Sequence, residues 1–242
     1  TAAHCVTNDD GTPAVIDGGD GNTVTFETPS GPIVVSFDAA DVTRHPSFDG
    51  NFLHGFDVAV IDLGSTVDPA VPRYPLNTNL GIEASPHLAV GYGQSGDGAT
   101  GATLAAGEKR TGINNFEITG PPVAQITNLD TQLTADFDSG LPGNNAFEVL
   151  FNLSGGIADL GFAADEVGTA PGDSGGPSFI VDAGVPVIAG VHSYGLRLEL
   201  LDGTTRDVDG DLNSSFGEVY VDARIANLAI LSVVNTHIGE KE

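Results

Sequence analysis

The stretch Gly172-Asp173-Ser174-Gly175-Gly176-Pro177 sets a serine among glycines, and two segments far upstream, Thr1-Ala2-Ala3-His4-Cys5 and Phe56-Asp57-Val58-Ala59-Val60, carry a histidine and an aspartate. A serine hydroxyl is a poor nucleophile until an imidazole takes its proton. That imidazole in turn needs a carboxylate on its other nitrogen to fix its tautomer and orientation. A chain that uses these groups together must fold so that His4, Asp57 and Ser174 meet, which calls for many long-range contacts. Glycine beside the nucleophile leaves room for backbone N–H groups to converge on a developing oxyanion, and Gly172 and Ser174 are the expected donors.

The order His, Asp, Ser excludes the nucleophile elbow of the α/β-hydrolases, whose motif is G-x-S-x-G and whose serine comes first. Taken together, the three segments resemble the chymotrypsin/trypsin family of serine proteases. The resemblance implies an all-β fold, a chymotrypsin-like pair of six-stranded antiparallel β-barrels with a short C-terminal helix, the first barrel incomplete. Residues 1–76 would form the remainder of the N-terminal barrel with His4 and Asp57, and residues 77–242 the C-terminal barrel and helix with Ser174. The implied activity is that of a serine endopeptidase working through an acyl-enzyme on protein or peptide substrates, in a secreted or extracellular setting and with no cofactor required. Ser193-Tyr194-Gly195 matches the family's Ser-aromatic-Gly segment, which lies antiparallel to the substrate backbone, and Ser193 would support the Asp57 carboxylate. Gly107-Glu108-Lys109-Arg110, Asp136-Phe137-Asp138 and Ser215-Phe216-Gly217-Glu218 resemble a bacterial branch of the same proteases.

The resemblance also carries two expectations about sequence upstream of Thr1. Cys5, the one cysteine of the chain, would form a disulfide with a cysteine on a preceding strand. Asp173 would pair with a freed α-amino group that shapes the oxyanion loop.

Composition agrees with a β-rich chain. Thirty-three glycines and 14 prolines in 242 residues break it at short intervals, which suits short strands joined by turns. Strands are expected at Val15-Ile16, Thr23–Phe26, Ile33–Phe37, Val58–Leu63, Leu88–Gly93, Phe116-Glu117-Ile118, Ala124-Gln125-Ile126 and Phe147–Phe151. A hairpin is expected from Pro177–Val181 and Val185–His192 around Asp182-Ala183-Gly184. Apolar spacing predicts an amphipathic helix within Asp222–Val234. Gly91-Tyr92-Gly93-Gln94-Ser95-Gly96 fits a dinucleotide fingerprint, but loop residues follow it where that motif needs a helix. Thirty-three acidic against 8 basic residues give a net charge of −25, which repels phosphate backbones and argues against a nucleic-acid partner. No continuous apolar run reaches the roughly 18 residues of a membrane-spanning helix.

Specificity stays open between two pockets. Gly168 stands six residues before Ser174, at the floor of the family's primary pocket, with Thr169 beside it; an uncharged floor favours apolar P1 side chains. Glu218, by resemblance on the opposite wall, would instead select Lys or Arg. Glu218 has a further use, because Asp207, Asp209, Asp211, Asn213 and Glu218 reproduce acidic positions of a calcium loop, although Leu212 stands where its turn glycine belongs. A solvated acidic loop is the simpler alternative. Two other functional classes follow from these features: a catalytically inactive protease-fold binding module, and an acidic calcium-dependent adhesion domain.

Overall fold

A computed structural model describes residues 1–8, 12, 14, 21–64, 67–120, 130–148, 159–199 and 202–238. The strands expected at Val15-Ile16 and Ala124-Gln125-Ile126 lie outside these residues, as does the 149–151 part of the one expected at Phe147–Phe151.

In the first half, strands β1 (Thr23–Thr28) and β2 (Gly31–Ser36) alternate exposed and half-buried positions and pair antiparallel from Thr23↔Ser36 to Thr28↔Gly31. Val, Thr, Ile and Phe occupy them, side chains that suit a pleated, half-buried surface. Strands β3 (Val42–Arg44) and β4 (Ala59–Ile61) form a second antiparallel pair. This β4 is shorter than the span expected over Val58–Leu63.

The second half is built on one antiparallel sheet from β5 (Ser85–Gly91), β8 (Arg110–Phe116), β9 (Ile118–Thr119), β10 (Gln132–Asp136), β11 (Pro177–Asp182), β12 (Val185–Arg197) and β13 (Glu218–Arg224). A short pair, β6 (Ser95–Asp97) with β7 (Gly101–Leu104), stands beside it. Neighbours in the large sheet run β8-β5-β11-β12-β13-β10-β9. Its two end strands, β8 and β9, are separated in the chain only by Glu117, whose N–H donates to Thr134 O at 3.0 Å. One bent strand therefore closes the sheet on itself, and the seven segments make a six-stranded barrel, which removes exposed edges. The bend falls in the middle of the strand expected at Phe116-Glu117-Ile118. With the strand pairs of the first half, the architecture is that of a chymotrypsin-like double β-barrel.

The hairpin β11–β12 turns at Ala183 (φ 48°) and Gly184 (φ 84°), two left-handed residues of the kind that match the twist of paired strands. Strand β12 continues past His192 to Arg197, so the Ser193-Tyr194-Gly195 segment is strand and not the loop beyond it. The C-terminal helix α1 (Leu228–Ile238) begins later than the apolar spacing predicted, because Asp222–Arg224 belong to β13. Asn227 Oδ1 accepts from the N–H groups of Ala229 (3.0 Å) and Ile230 (3.2 Å), which caps the helix start. No helix among the described residues is long and apolar enough to cross a membrane.

What joins the halves is a core of Ala2 and Val58 from the first, Val191, Ala223 and Ile225 from the second, and Ile230 and Leu231 of α1. Full burial of such side chains contributes about 1.5–3 kcal/mol each for the larger ones. Leu76 bridges to Ile188, so the chain passes from the first half to the second along β12. This apolar contact fixes Thr1–His4 and Asp57 against the strand that carries Ser193.

Candidate active site

His4 begins a short 3₁₀ turn, and Asp57 precedes β4 next to Phe56, whose backbone is left-handed (φ 61°). The two segments are tied by hydrogen bonds in both directions between Thr1 and Ala59. Asp57 is 1% exposed, and three donors converge on it. His4 N–H donates to Oδ1 at 2.8 Å, Nδ1 of the His4 ring lies 2.7 Å from Oδ2, and Ser193 Oγ donates to Oδ2 at 2.5 Å. Ser193 reaches Asp57 because the register between β12 and β13 shifts between His192 and Tyr194, a bulge that re-aims its hydroxyl. A ring nitrogen bound to a buried carboxylate has its proton fixed there, which leaves Nε2 as the working atom. Burial alone would lower the basicity of His4, but the Asp57 hydrogen bond and the Cys5 thiol together raise its pKa above 6.5.

Phe52 packs edge-on against the His4 ring at 5.1 Å and also meets Tyr194 at 5.7 Å. Gln132 Nε2 donates to Phe52 O (2.7 Å) and to Tyr194 OH (3.3 Å), so one amide holds both rings. No local motif marks Phe52 or Gln132 in the sequence.

Ser174 is exposed and its hydroxyl makes no hydrogen bond among the described residues, while His4 Nε2 faces Cys5 Sγ at 3.6 Å. The loop that carries Ser174 nevertheless runs against the His4 segment. A Cβ built on Gly175 would lie 2.4 Å from Thr1 Oγ1 and 3.5 Å from Cys5 Sγ. His4, Asp57 and Ser193 are thus joined by hydrogen bonds, and Ser174 is adjacent without such a bond. Hydrogen bonds of reacting groups are often long without substrate and tighten only around it. The N–H groups of Gly172 (φ 97°) and Ser174 have no backbone acceptor among the described residues, as donors kept for an oxyanion require.

Asp173 is held by the chain itself. Its Oδ1 accepts from Gly93 N–H (2.7 Å) and its Oδ2 from Ala170 N–H (2.9 Å). A Cβ on Gly91 or Gly93 would strike this carboxylate, at 1.8 Å and 2.7 Å from Oδ1 respectively. The fingerprint-like glycines at 91 and 93 therefore serve to admit Asp173.

Beside Ser174 lies a cavity of about 230 Å³ lined by Thr169, Ala170, Ser193, Tyr194, Gly195 and Glu218 among others. Glu218 is buried, and its Oε1 accepts from the N–H groups of Asn213 (2.7 Å) and Ser215 (3.0 Å). Gly168 faces the adjoining cavity of about 480 Å³, over Phe137. Leu212, Asn213 and Ser214 complete the wall next to Ser174, a placement that their sequence context of acidic residues did not suggest. Within the expected calcium loop the side chains serve the loop's own donors. Asp207 Oδ1 accepts from Asp209 N–H and Gly210 N–H, and Asp209 accepts from Asp211 N–H and Asn213 Nδ2. Asp211 is exposed.

Cys5 is free and exposed, so the expected disulfide is not made within this chain, whose single cysteine has no counterpart to bond. His54 is paired with Asp49 at 2.7 Å. His192, buried behind Ser174, is bound to Asp222 at 2.9 Å.

A family model described as Trypsin matches residues 1–201. Comparison with curated proteins finds no similar sequence.

Proposed function

The chain belongs to the trypsin family of serine proteases, and on that footing we propose that it is a serine endopeptidase whose nucleophile is Ser174, with His4 as general base and Asp57 as the carboxylate that orients it. The observation that carries this proposal is the convergence of His4 and Ser193 on the buried Asp57 carboxylate, one loop away from an exposed serine. Ser174 Oγ attacks the scissile carbonyl carbon as its proton passes to His4 Nε2. The carbonyl oxygen takes up negative charge between the N–H groups of Gly172 and Ser174. The tetrahedral adduct collapses as His4 returns the proton to the leaving amine, and water repeats the sequence on the acyl-enzyme. Tyr194 and Gly195, at the end of β12, offer the substrate backbone a strand to pair with.

Within this proposal, P1 is Lys or Arg. Glu218 lines the cavity beside Ser174, and burial raises its pKa, so a cationic side chain there would relieve a costly buried carboxylate. Gly168 contributes to the neighbouring cavity instead. We also assign the protein to an extracellular setting, which detection of its activity in spent medium would support.

The test is labelling with a fluorophosphonate, followed by a peptide library. Wild-type protein labels at Ser174 and Ser174→Ala does not. Glu218→Gln loses the preference for basic P1 residues. A folded protein that never labels would make it a binding module, and an unchanged preference in Glu218→Gln would refute the pocket assignment.

A further inference from the structure

Three carboxylates converge inside the second barrel, apart from the triad. Glu117 occupies the bend between β8 and β9, Asp136 ends β10, and Asp138 follows two residues later. Each offers an oxygen within 4.8 Å of those of the other two. All three are at most 3% exposed. Proximity of acids says little by itself, because a shared proton produces the same picture. What sets this group apart is how its oxygens are partnered. Among the described residues Asp138, at 0% exposed, has no hydrogen-bond donor on either oxygen, and neither does Oε2 of Glu117. Of the other oxygens, Asp136 Oδ2 accepts from the N–H groups of Ala146 (2.7 Å) and Phe147 (3.2 Å), and Glu117 Oε1 from Asp159 N–H (3.4 Å).

Among the described residues no ion pair to these three carboxylates is made. Lys109, Arg110, Arg197, Arg206 and Arg224 make their ion pairs with other carboxylates. A buried anion in such a place is stable only with a compensating positive charge.

We propose that Glu117, Asp136 and Asp138 form a calcium-binding site buried in the second barrel. The donors are all hard carboxylate oxygens, the set that suits calcium or magnesium and not the nitrogen and sulfur preference of zinc. Calcium accepts irregular coordination and can be taken up by protein oxygens, whereas magnesium demands near-octahedral geometry and holds its waters, which a buried site excludes.

Its place in the fold gives the ion a role. Phe137, between two of the ligands, packs on Phe216 at 4.6 Å and lies under Gly168, where a Cβ would come 3.2 Å from its ring. Asn114 Nδ2 links Asp136 O (2.7 Å) to Val167 O (2.9 Å), and Tyr220 OH also donates to Val167 O (2.9 Å). The ion thus pins the end of β10 to the segment 167–169 that leads into the Ser174 loop.

Calcium content and melting decide the matter, measured on Ser174→Ala protein so that self-cleavage does not interfere. After chelation and dialysis against calcium chloride, the protein retains one equivalent of calcium and melts several degrees higher than in chelator; magnesium chloride gives a much smaller rise. Asp138→Asn in the same background loses both the ion and the calcium-dependent rise, yet melts above its parent in chelator, because a buried repulsion is gone. Glu117→Gln supplies the same comparison should Asp138→Asn fold poorly. Asp209→Asn, in the acidic loop of Asp207–Glu218, keeps the bound ion. Protein that holds no calcium and melts identically in chelator would overturn the proposal in favour of a protonated cluster. Calcium retained by Asp138→Asn and lost from Asp209→Asn would overturn it in favour of the loop.

Discussion

Replacing Gly93 by alanine tests how the loop that carries the proposed oxyanion donors is held. The new methyl would sit 2.7 Å from both Cγ and Oδ1 of Asp173 and 2.8 Å from its backbone nitrogen, so rotating the side chain away does not relieve the overlap. The Asp173 segment must shift, and the 2.7 Å hydrogen bond from Gly93 N–H to Asp173 Oδ1 is lost. A hydrogen bond to a charged group contributes about 1.5–3 kcal/mol. For a domain of this size that corresponds to about 3–12 °C in Tm. Because Asp173 lies between Gly172 and Ser174, the same shift misplaces the two N–H donors. Loss of one oxyanion donor costs about 10²–10³ in kcat. Scanning calorimetry and kcat on a chromogenic peptide ester measure the two effects. Gly143→Ala is the control: its Cβ would have nothing within 4 Å, and it leaves both quantities near wild type. A Gly93→Ala enzyme with undiminished kcat and Tm would show that Asp173 does not order the loop through this contact.

Ser193→Ala removes one of three donors to Asp57 but leaves both His4 contacts, so kcat falls about 10–100-fold with KM little changed, as expected for a lost hydrogen bond to a carboxylate. Steady-state kinetics read this, and a wild-type kcat would assign Ser193 to packing alone. The His4 pKa is raised above 6.5, so the imidazolium–Asp57 pair stabilises the fold fully below pH 6.5 and that contribution is lost as pH rises through the folded-state value. Activity needs the neutral ring, and the acid limb of kcat/KM therefore lies above pH 6.5. Cys5→Ala, which removes a group that favours the imidazolium, moves the limb to lower pH; an unmoved limb would refute that coupling. Asp222→Ala strips the buried His192 of its carboxylate and costs about 3–5 kcal/mol, as for a broken buried ion pair, read by denaturant titration. A loss under about 1 kcal/mol would mean that the pair is worth no more than a surface salt bridge.

Part of the candidate site was legible because the chemistry proposed for it demands particular residue types in short, local settings. His4, Asp57 and Ser193, which hydrogen bonds join in the fold, stood out for that reason, and so did the turn at Ala183-Gly184. The helix start was misjudged because Ile225 and Leu228 continue an apolar spacing that begins on β13; burial on a strand and on a helix face look alike over so few residues. The glycines at 91 and 93 matched a nucleotide motif because a sequence reveals that a Cβ is absent, not what occupies its place. Asp207–Glu218 drew attention as an acidic loop, yet the gathered carboxylates lie at Glu117, Asp136 and Asp138.

Sequence alone pointed to the family and to the β-rich character of the chain, since each depends on residue identity and short-range pattern. Tertiary structure decided which charges share a buried space: Asp173 with Gly93 N–H, Ser193 with Asp57, and Glu117 with Asp136 and Asp138. Those pairings arise from barrel closure and from a strand bulge, which bring together residues far apart in the chain and strip them of water. Proximity and desolvation set the behaviour of a charge, and neither is written in the residues on either side of it.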